Sequence, residues 1–237
     1  MSLELSGAEA SRPFIDAAHS QHPSLLDPTH QMGALFGVVN IPNVIWINEQ
    51  GVIVRPAEPG WSGPVEYPES MQKLLADRAK REAEQADSAP KRPNLMQLLA
   101  GGQDRLSYAD AIRDWAHHGA ASMYAMTPDQ VVAASQPRPP EVSRSAAHFE
   151  LANHLWRDGH RDSAIAHFKE SHRLQPANWT YKRQAWSLVG NERAGGGELG
   201  RFSQNPLPGE EADWPFESSF DADVSRLNPG EYYPKTM

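Results

Sequence analysis

Apolar positions along the first sixty residues come in short runs of two different periods. "SLELS" (Ser2–Ser6) alternates apolar and polar residues, which predicts a short strand. "GAEASRPFIDAAHSQ" places Phe14, Ile15 and Ala18 on one side of a helix, with Pro13 expected in its first turn, where a missing N–H costs little. "HPSLLD" (His22–Asp27) predicts a second short strand. Asp27 and Pro28 then form an N-cap and N1 pair for a helix lined by Met32, Leu35 and Phe36, with Gly37 as its left-handed terminator. "NVIWIN" is rich in β-branched and aromatic residues, "EQG" is a turn and "VIVRP" returns, so an antiparallel hairpin closes a β-α-β-α-β-β order.

Beyond the hairpin the pattern turns helical and is cut by proline. Ala57–Pro68 reads as a loop, and Glu69 to about Ala86 as a charged helix with a narrow apolar stripe at Met71, Leu74 and Leu75, its charged face being one that normally points to water. "NLMQLLAGG" predicts a short glycine-capped helix. "SYADAIRDWAHHG" brings Tyr108, Ile112 and Trp115 to one face, and "TPDQVVAAS" opens with a Thr cap and Pro at N1. Gln136–Val142 is a stiff proline linker, and Ser143 to about Val189 is helical. From Gly195 the chain is rich in Gly, Pro and acidic residues. Trp214, Phe216, Phe220, Tyr232 and Tyr233 predict an irregular strap laid over the helices rather than a solvated tail.

Composition narrows the function classes. The 237 residues carry a formal net charge of −8, which argues against nucleic acid as the main partner. No run approaches the ~18 apolar residues of a membrane-spanning helix, and the first residues show no basic and apolar export signal, so no membrane partner is expected and the cytoplasm is the expected location. The chain has no cysteine, and therefore no thiol nucleophile, disulfide or cysteine zinc site of its own. GxSxG, HExxH and P-loop motifs are absent from the sequence. His148, His154, His160, His167 and His172 crowd one region, but their spacing supports no metal site and reads as scattered helix-surface histidines; His117 and His118 suit the negative end of a helix. No cofactor and no metal are expected.

"AAHFELANHLWRDGHRDSAIAHFKESHRLQPANW" resembles one tetratricopeptide repeat, a motif with a period of about 34 residues that forms an antiparallel helix pair. Leu151, Ala152 and Leu155 match the first-helix positions, Gly159 the turn, and Ala164, Phe168 and Pro176 the small, aromatic and helix-ending positions of the second. Such repeats bury their faces by stacking, so the pair either packs on the rest of this chain or docks a protein or peptide partner.

"FGVVNIPNVIWINEQGVIV", with the preceding "PSLLD" and helix, resembles the second half of a thioredoxin-like domain of the ResA/TlpA and peroxiredoxin-like group, over roughly residues 2–55. From the residues alone Pro42 is a proline that opens a strand. The resemblance implies more: Pro42 is cis and lies beside a redox centre, with Ile41 and Pro42 binding substrate. The group's first strand and CxxC-type motif have no counterpart in this sequence. A shortened reading frame, decay into a scaffold, or a strand supplied by a partner chain each accounts for that departure. The first is favoured, since some members carry selenocysteine, whose codon reads as a stop. The sequence thus predicts an α+β fold: an incomplete thioredoxin-like domain at 1–64, a helical connection at 65–134, a tetratricopeptide-like region at 143–194 and an irregular strap at 195–237. The expected function is a fragment of a thiol or selenol disulfide or peroxide oxidoreductase, inactive by itself; the alternative is a non-catalytic interaction scaffold.

Overall fold

The computed structural model describes residues 7–60, 73, 76, 105–135, 137–193, 204–228 and 230–234. In chain order its elements are α1 (Ala8–Ala17), α2 (Gln31–Phe36), β1 (Asn43–Ile47), β2 (Ile53–Pro59), α3 (Arg105–His118), α4 (Pro128–Ala134), α5 (Pro140–Arg157), α6 (Arg161–Leu174), α7 (Trp179–Arg193) and α8 (Phe220–Val224), with 3₁₀ turns at Gly119–Ala121 and Glu211–Asp213. The fold mixes helix and strand, and among the described residues the sheet has two antiparallel strands. The expected strand at Ser2–Ser6 and the helices expected at Glu69–Ala86 and in "NLMQLLAGG" lie outside the described residues, apart from helical positions at Lys73 and Ala76. Among the described residues no helix is long and apolar enough to cross a membrane. The chain divides into two compact units, Met1–Ile41 with Ser135–Phe220, and Pro42–Ala134 with Asp221–Met237.

In the first unit, α1 forms as expected, but Pro13 is its sixth residue rather than part of its first turn. Pro13 has no N–H to give the Glu9 carbonyl, so this helix lacks a rung in its second turn. His22–Asp27 is not a strand; it is irregular chain with an isolated bridge at Leu26. Asp27 caps α2 from further back than N-cap. Its backbone oxygen accepts from His30 N at 3.2 Å, closing a turn through Pro28, while Oδ1 accepts from Gln31 N at 2.9 Å and Oδ2 from Gly33 N at 3.0 Å. One buried carboxylate thereby satisfies two of the orphan donors at a helix start. The proline turn displaces the helix start from Pro28 to Gln31, with His30 in the left-handed region at φ 57°.

Two helices of this unit end in the same way. Gly37, at φ 75°, donates to Ala34 O while Val38 N bonds Gly33 O at 2.9 Å. Gly159, at φ 84°, donates to Trp156 O at 3.1 Å while His160 N bonds Leu155 O at 2.9 Å. Both are the paired 6→1 and 5→2 bonds that a left-handed glycine permits. α5 starts at Pro140, inside the expected linker, because proline is pre-set for the first helical position. Asn178 Oδ1 accepts from Tyr181 N at 3.0 Å and caps α7.

The core of the first unit is aromatic. Phe149 stacks on Tyr181 with centroids 4.1 Å apart, Phe168 lies 5.8 Å from Phe149, and the ring of His30 stands edge-on to Phe149 at 5.0 Å. Residues 204–220, within the expected strap, lie in this unit. Phe216 packs on His172 at 5.4 Å, Phe220 meets Trp179 at 6.3 Å, and Arg193 bonds Asp213 O at 2.9 Å.

The second unit is built on the hairpin. Asn48 and Gly51 make its turn: Gly51 N bonds Asn48 O, Asn48 N bonds Val52 O, and Asn48 Oδ1 accepts from Gln50 N and Val52 N. Gly51 takes φ 75°, as the third residue of such a turn requires. β2 runs to Pro59, so the loop expected from Ala57 starts later. The pairing Val44↔Glu58, Trp46↔Arg55, Ile47↔Ile53 is irregular, with extra residues on β2. Trp46, Tyr108 and Ala111 form the core here, with Val44, Val54, Ile112, Trp115 and Tyr124 packed around them. α4 opens with a capping box, Gln130 N to Thr127 Oγ1 at 3.3 Å and Thr127 N to Gln130 Oε1 at 2.8 Å.

Candidate functional site

Among the described residues of the second unit, the bulged strand β2 creates a dense polar constellation. Residues three apart on a regular strand face opposite ways. The register irregularity re-aims them, and Arg55 and Glu58 meet on one side. Arg55 Nε donates to Glu58 Oε1 at 2.7 Å and Nη2 to Oε2 at 2.9 Å, while Nη1 donates to Tyr124 O at 2.7 Å. Tyr108 Oη donates to Glu58 Oε1 at 2.9 Å and accepts from Trp46 Nε1 at 3.1 Å. Arg55 also lies 5.4 Å over the Trp46 ring. Both charged side chains are 6% exposed. Burial, then the nearby Glu58 charge, drives the Tyr108 hydroxyl far above its ordinary range, so it stays a neutral donor. Each member has its partners, and the set holds the hairpin to α3 without leaving a group for chemistry.

Ile41 and Pro42 stand at the entrance to β1. Ile41 is half-buried and Pro42 exposed, and Ile41 closes the first segment of one unit while Pro42 opens the other. The Ile41 N–H donates to Asn40 Oδ1 at 2.9 Å. A substrate that pairs with this N–H has to displace the Asn40 side chain.

α5 and α6 form the expected antiparallel pair about Gly159. Ala152, Ala164 and Phe168 are fully buried, and Ala152 and Ala164 allow the helices close approach. Leu155 is half-buried and Pro176 exposed just past the end of α6. Leu151, expected among the packing residues, is 42% exposed. It lies one position, about 100° of helix rotation, from Ala152. The face turned to α6 is instead Ser145, His148, Phe149 and Ala152. Ser145 Oγ donates to Ser171 O at 2.9 Å, and the Nδ1 atoms of His148 and His167 lie 2.8 Å apart.

The sequence reading missed this last pair, because the two histidines are 19 residues apart and belong to different helices. The remaining histidines do not join them. His154 is exposed beside Asp158 at 3.3 Å, His172 packs on Trp186 and Phe216, and His118 Nδ1 is 2.9 Å from Asp114 Oδ1. The signal that could have found the pair is the hairpin itself, since residues at similar distances from the Gly159 turn face one another.

No protein-family model, no curated protein and no solved structure matches this chain.

Proposed function

We propose that this chain carries the substrate-side part of a thioredoxin-like disulfide or peroxide oxidoreductase, joined to a tetratricopeptide-like helical hairpin. The observation that supports the reading is the run α2, Gly37, Ile41–Pro42, β1, Asn48–Gly51 turn and β2, in which a helix, a left-handed glycine and a proline lead into a glycine-turned hairpin. With no cysteine in the sequence, the nucleophile comes from outside these 237 residues. In the reaction, a thiolate or selenolate attacks one sulfur of a disulfide, a new bond forms to that sulfur, and the other sulfur leaves as thiolate. Ile41 and Pro42 bind the substrate backbone next to that nucleophile, and Asn40 guards the Ile41 N–H until substrate takes it.

The test compares insulin-disulfide and peroxide reduction by this chain with reduction by a form extended with the codons upstream of Met1. Activity in the extended form alone supports the reading. It fails if the upstream codons encode no strand and redox motif, or if the extended form is inert.

The α5–α6 pair with α7 beside it favours a second reading, a non-catalytic scaffold whose helices dock a protein or peptide. Inertness of both forms with folding retained supports this second reading.

A further inference from the structure

We propose that His148 and His167 form a two-point transition-metal site across the α5–α6 pair, suited to a tetragonal divalent ion such as Cu(II) or Ni(II). The two imidazoles come from facing helices and present the same nitrogen, Nδ1, to one another at 2.8 Å. Metal–imidazole bonds of about 2.0–2.1 Å meeting at a right angle place their nitrogens about 2.8–3.0 Å apart, whereas a tetrahedral angle needs about 3.3–3.4 Å. The observed separation, set by a hydrogen bond between the two rings, is close to that of neighbouring ligands on a square-planar or octahedral ion, the geometry that imidazole-bound Cu(II) and Ni(II) prefer.

The pair sits on a closely packed helix interface. Ser145, Phe149, Ala152, Ala164, Phe168 and Ser171, which lie between the two helices around the pair, are at most 1% exposed. The rings meet nearly head on, with centroids 5.0 Å apart and planes inclined by 36°. Metal entry tilts each ring off the line joining the nitrogens. The hydrogen held between the two Nδ1 atoms moves to Nε2 of the ring that carried it, so both rings bind as neutral Nε2–H tautomers and no net proton is lost. Both side chains are half-buried, which leaves one side open to solvent. Among the described residues no group of three or more His, Cys, Asp or Glu is placed to hold an ion, so water fills the remaining positions. Glu170, one turn from His167, is held by Arg173 at 2.6 and 2.7 Å.

The experiment uses the full chain, freed of metal with a chelator and titrated with Cu(II) or Ni(II) chloride alone in a non-coordinating buffer. Calorimetry is expected to show a step of one ion per chain, with a higher thermal midpoint in the bound form because the ion ties two helices of the folded state. His148→Gln and His167→Gln each abolish that step, while His154→Gln retains it; far-UV circular dichroism checks that the variants keep their helices. The unaltered chain gives an independent reading, since the Cu(II) electron paramagnetic resonance spectrum must carry the splitting of two imidazole nitrogens. A missing one-ion step, a step that survives either substitution in a folded variant, or a nitrogen count other than two overturns the proposal.

Discussion

Trp46 donates its indole N–H to the hydroxyl of Tyr108 at 3.1 Å, and this bond joins a strand to a helix 62 residues further along the chain. The same hydroxyl donates to Glu58, so Tyr108→Phe removes an acceptor and a donor together. It leaves a buried indole N–H without its partner and a buried carboxylate with one donor fewer. The expected loss is about 1–3 kcal/mol, read from urea denaturation followed by Trp fluorescence.

Breaking the ion pair from one side is expected to cost more. Arg55→Met leaves Glu58 charged in a nearly dry site, for an expected loss of about 3–5 kcal/mol. Arg55→Met with Glu58→Leu removes both charges and is expected to recover much of that loss. A double-mutant cycle on denaturation free energies measures the difference, and equal instability of single and double variants would contradict it.

Gly60 has no room for a side chain. A Cβ built there would lie 2.4 Å from Tyr108 Cζ and 2.5 Å from Cε1. Gly60→Ala therefore pushes the ring that centres the hydrogen-bond network, with an expected cost of about 1–3 kcal/mol. Combined with Tyr108→Ala the substitution should cost little further, and thermal melts of the single and paired variants check this.

The phenol of Tyr181 is expected to titrate late. Burial, opposed by the Arg138 charge and aided by Asp27 and Glu150, pushes it up to about 12 from an ordinary value of 10.0. Because the folded value is raised, the neutral phenol's contribution is fully present below pH 10 and is lost as pH climbs from about 10 to 12. Tyrosinate absorbance should show Tyr108 and Tyr181 both ionising late in wild type, and Tyr181→Phe should lose the earlier of the two late phases.

Close helix approach at Ala152 and Ala164 gives a further test. Either Ala→Leu change overfills a contact where both residues are fully buried, for an expected loss of about 1–3 kcal/mol. Leu151→Ala, on the exposed side of the same turn, should fall within about 0.5 kcal/mol of wild type.

What the sequence made legible was local. The Asn48–Gly51 turn, the Thr127 cap and the glycines at 37 and 159 each act through residues a few positions away, and each was found where expected. Tyr108, Ile112 and Trp115 were legible as one helix face, but not that the Tyr108 hydroxyl completes a pair made by Arg55 and Glu58. The extra residues on β2 that bring those two charges together leave no mark in a sequence that reads "VIVRPAEP". Pro28 was misplaced as a helix start because Asp27 can cap across a turn as readily as from N-cap. The His22–Asp27 strand failed because a short apolar run carries strand character only when a neighbour pairs with it. His148 and His167 became partners only once two helices were folded against each other.

The two compact units alternate along the chain, with Pro42–Ala134 emerging from the ribosome between the two segments of the other unit. Closing a gap of about 90 residues carries a length-dependent entropy of about 4 kcal/mol, which the aromatic contacts of His30 with Phe149 and Tyr181 have to exceed. His30, at the start of α2, therefore meets its ring partners only once α5 and α7 have been made. A nascent chain stalled before Ser135 holds His30 without the rings it packs against, so the first unit is completed late in translation although it begins first.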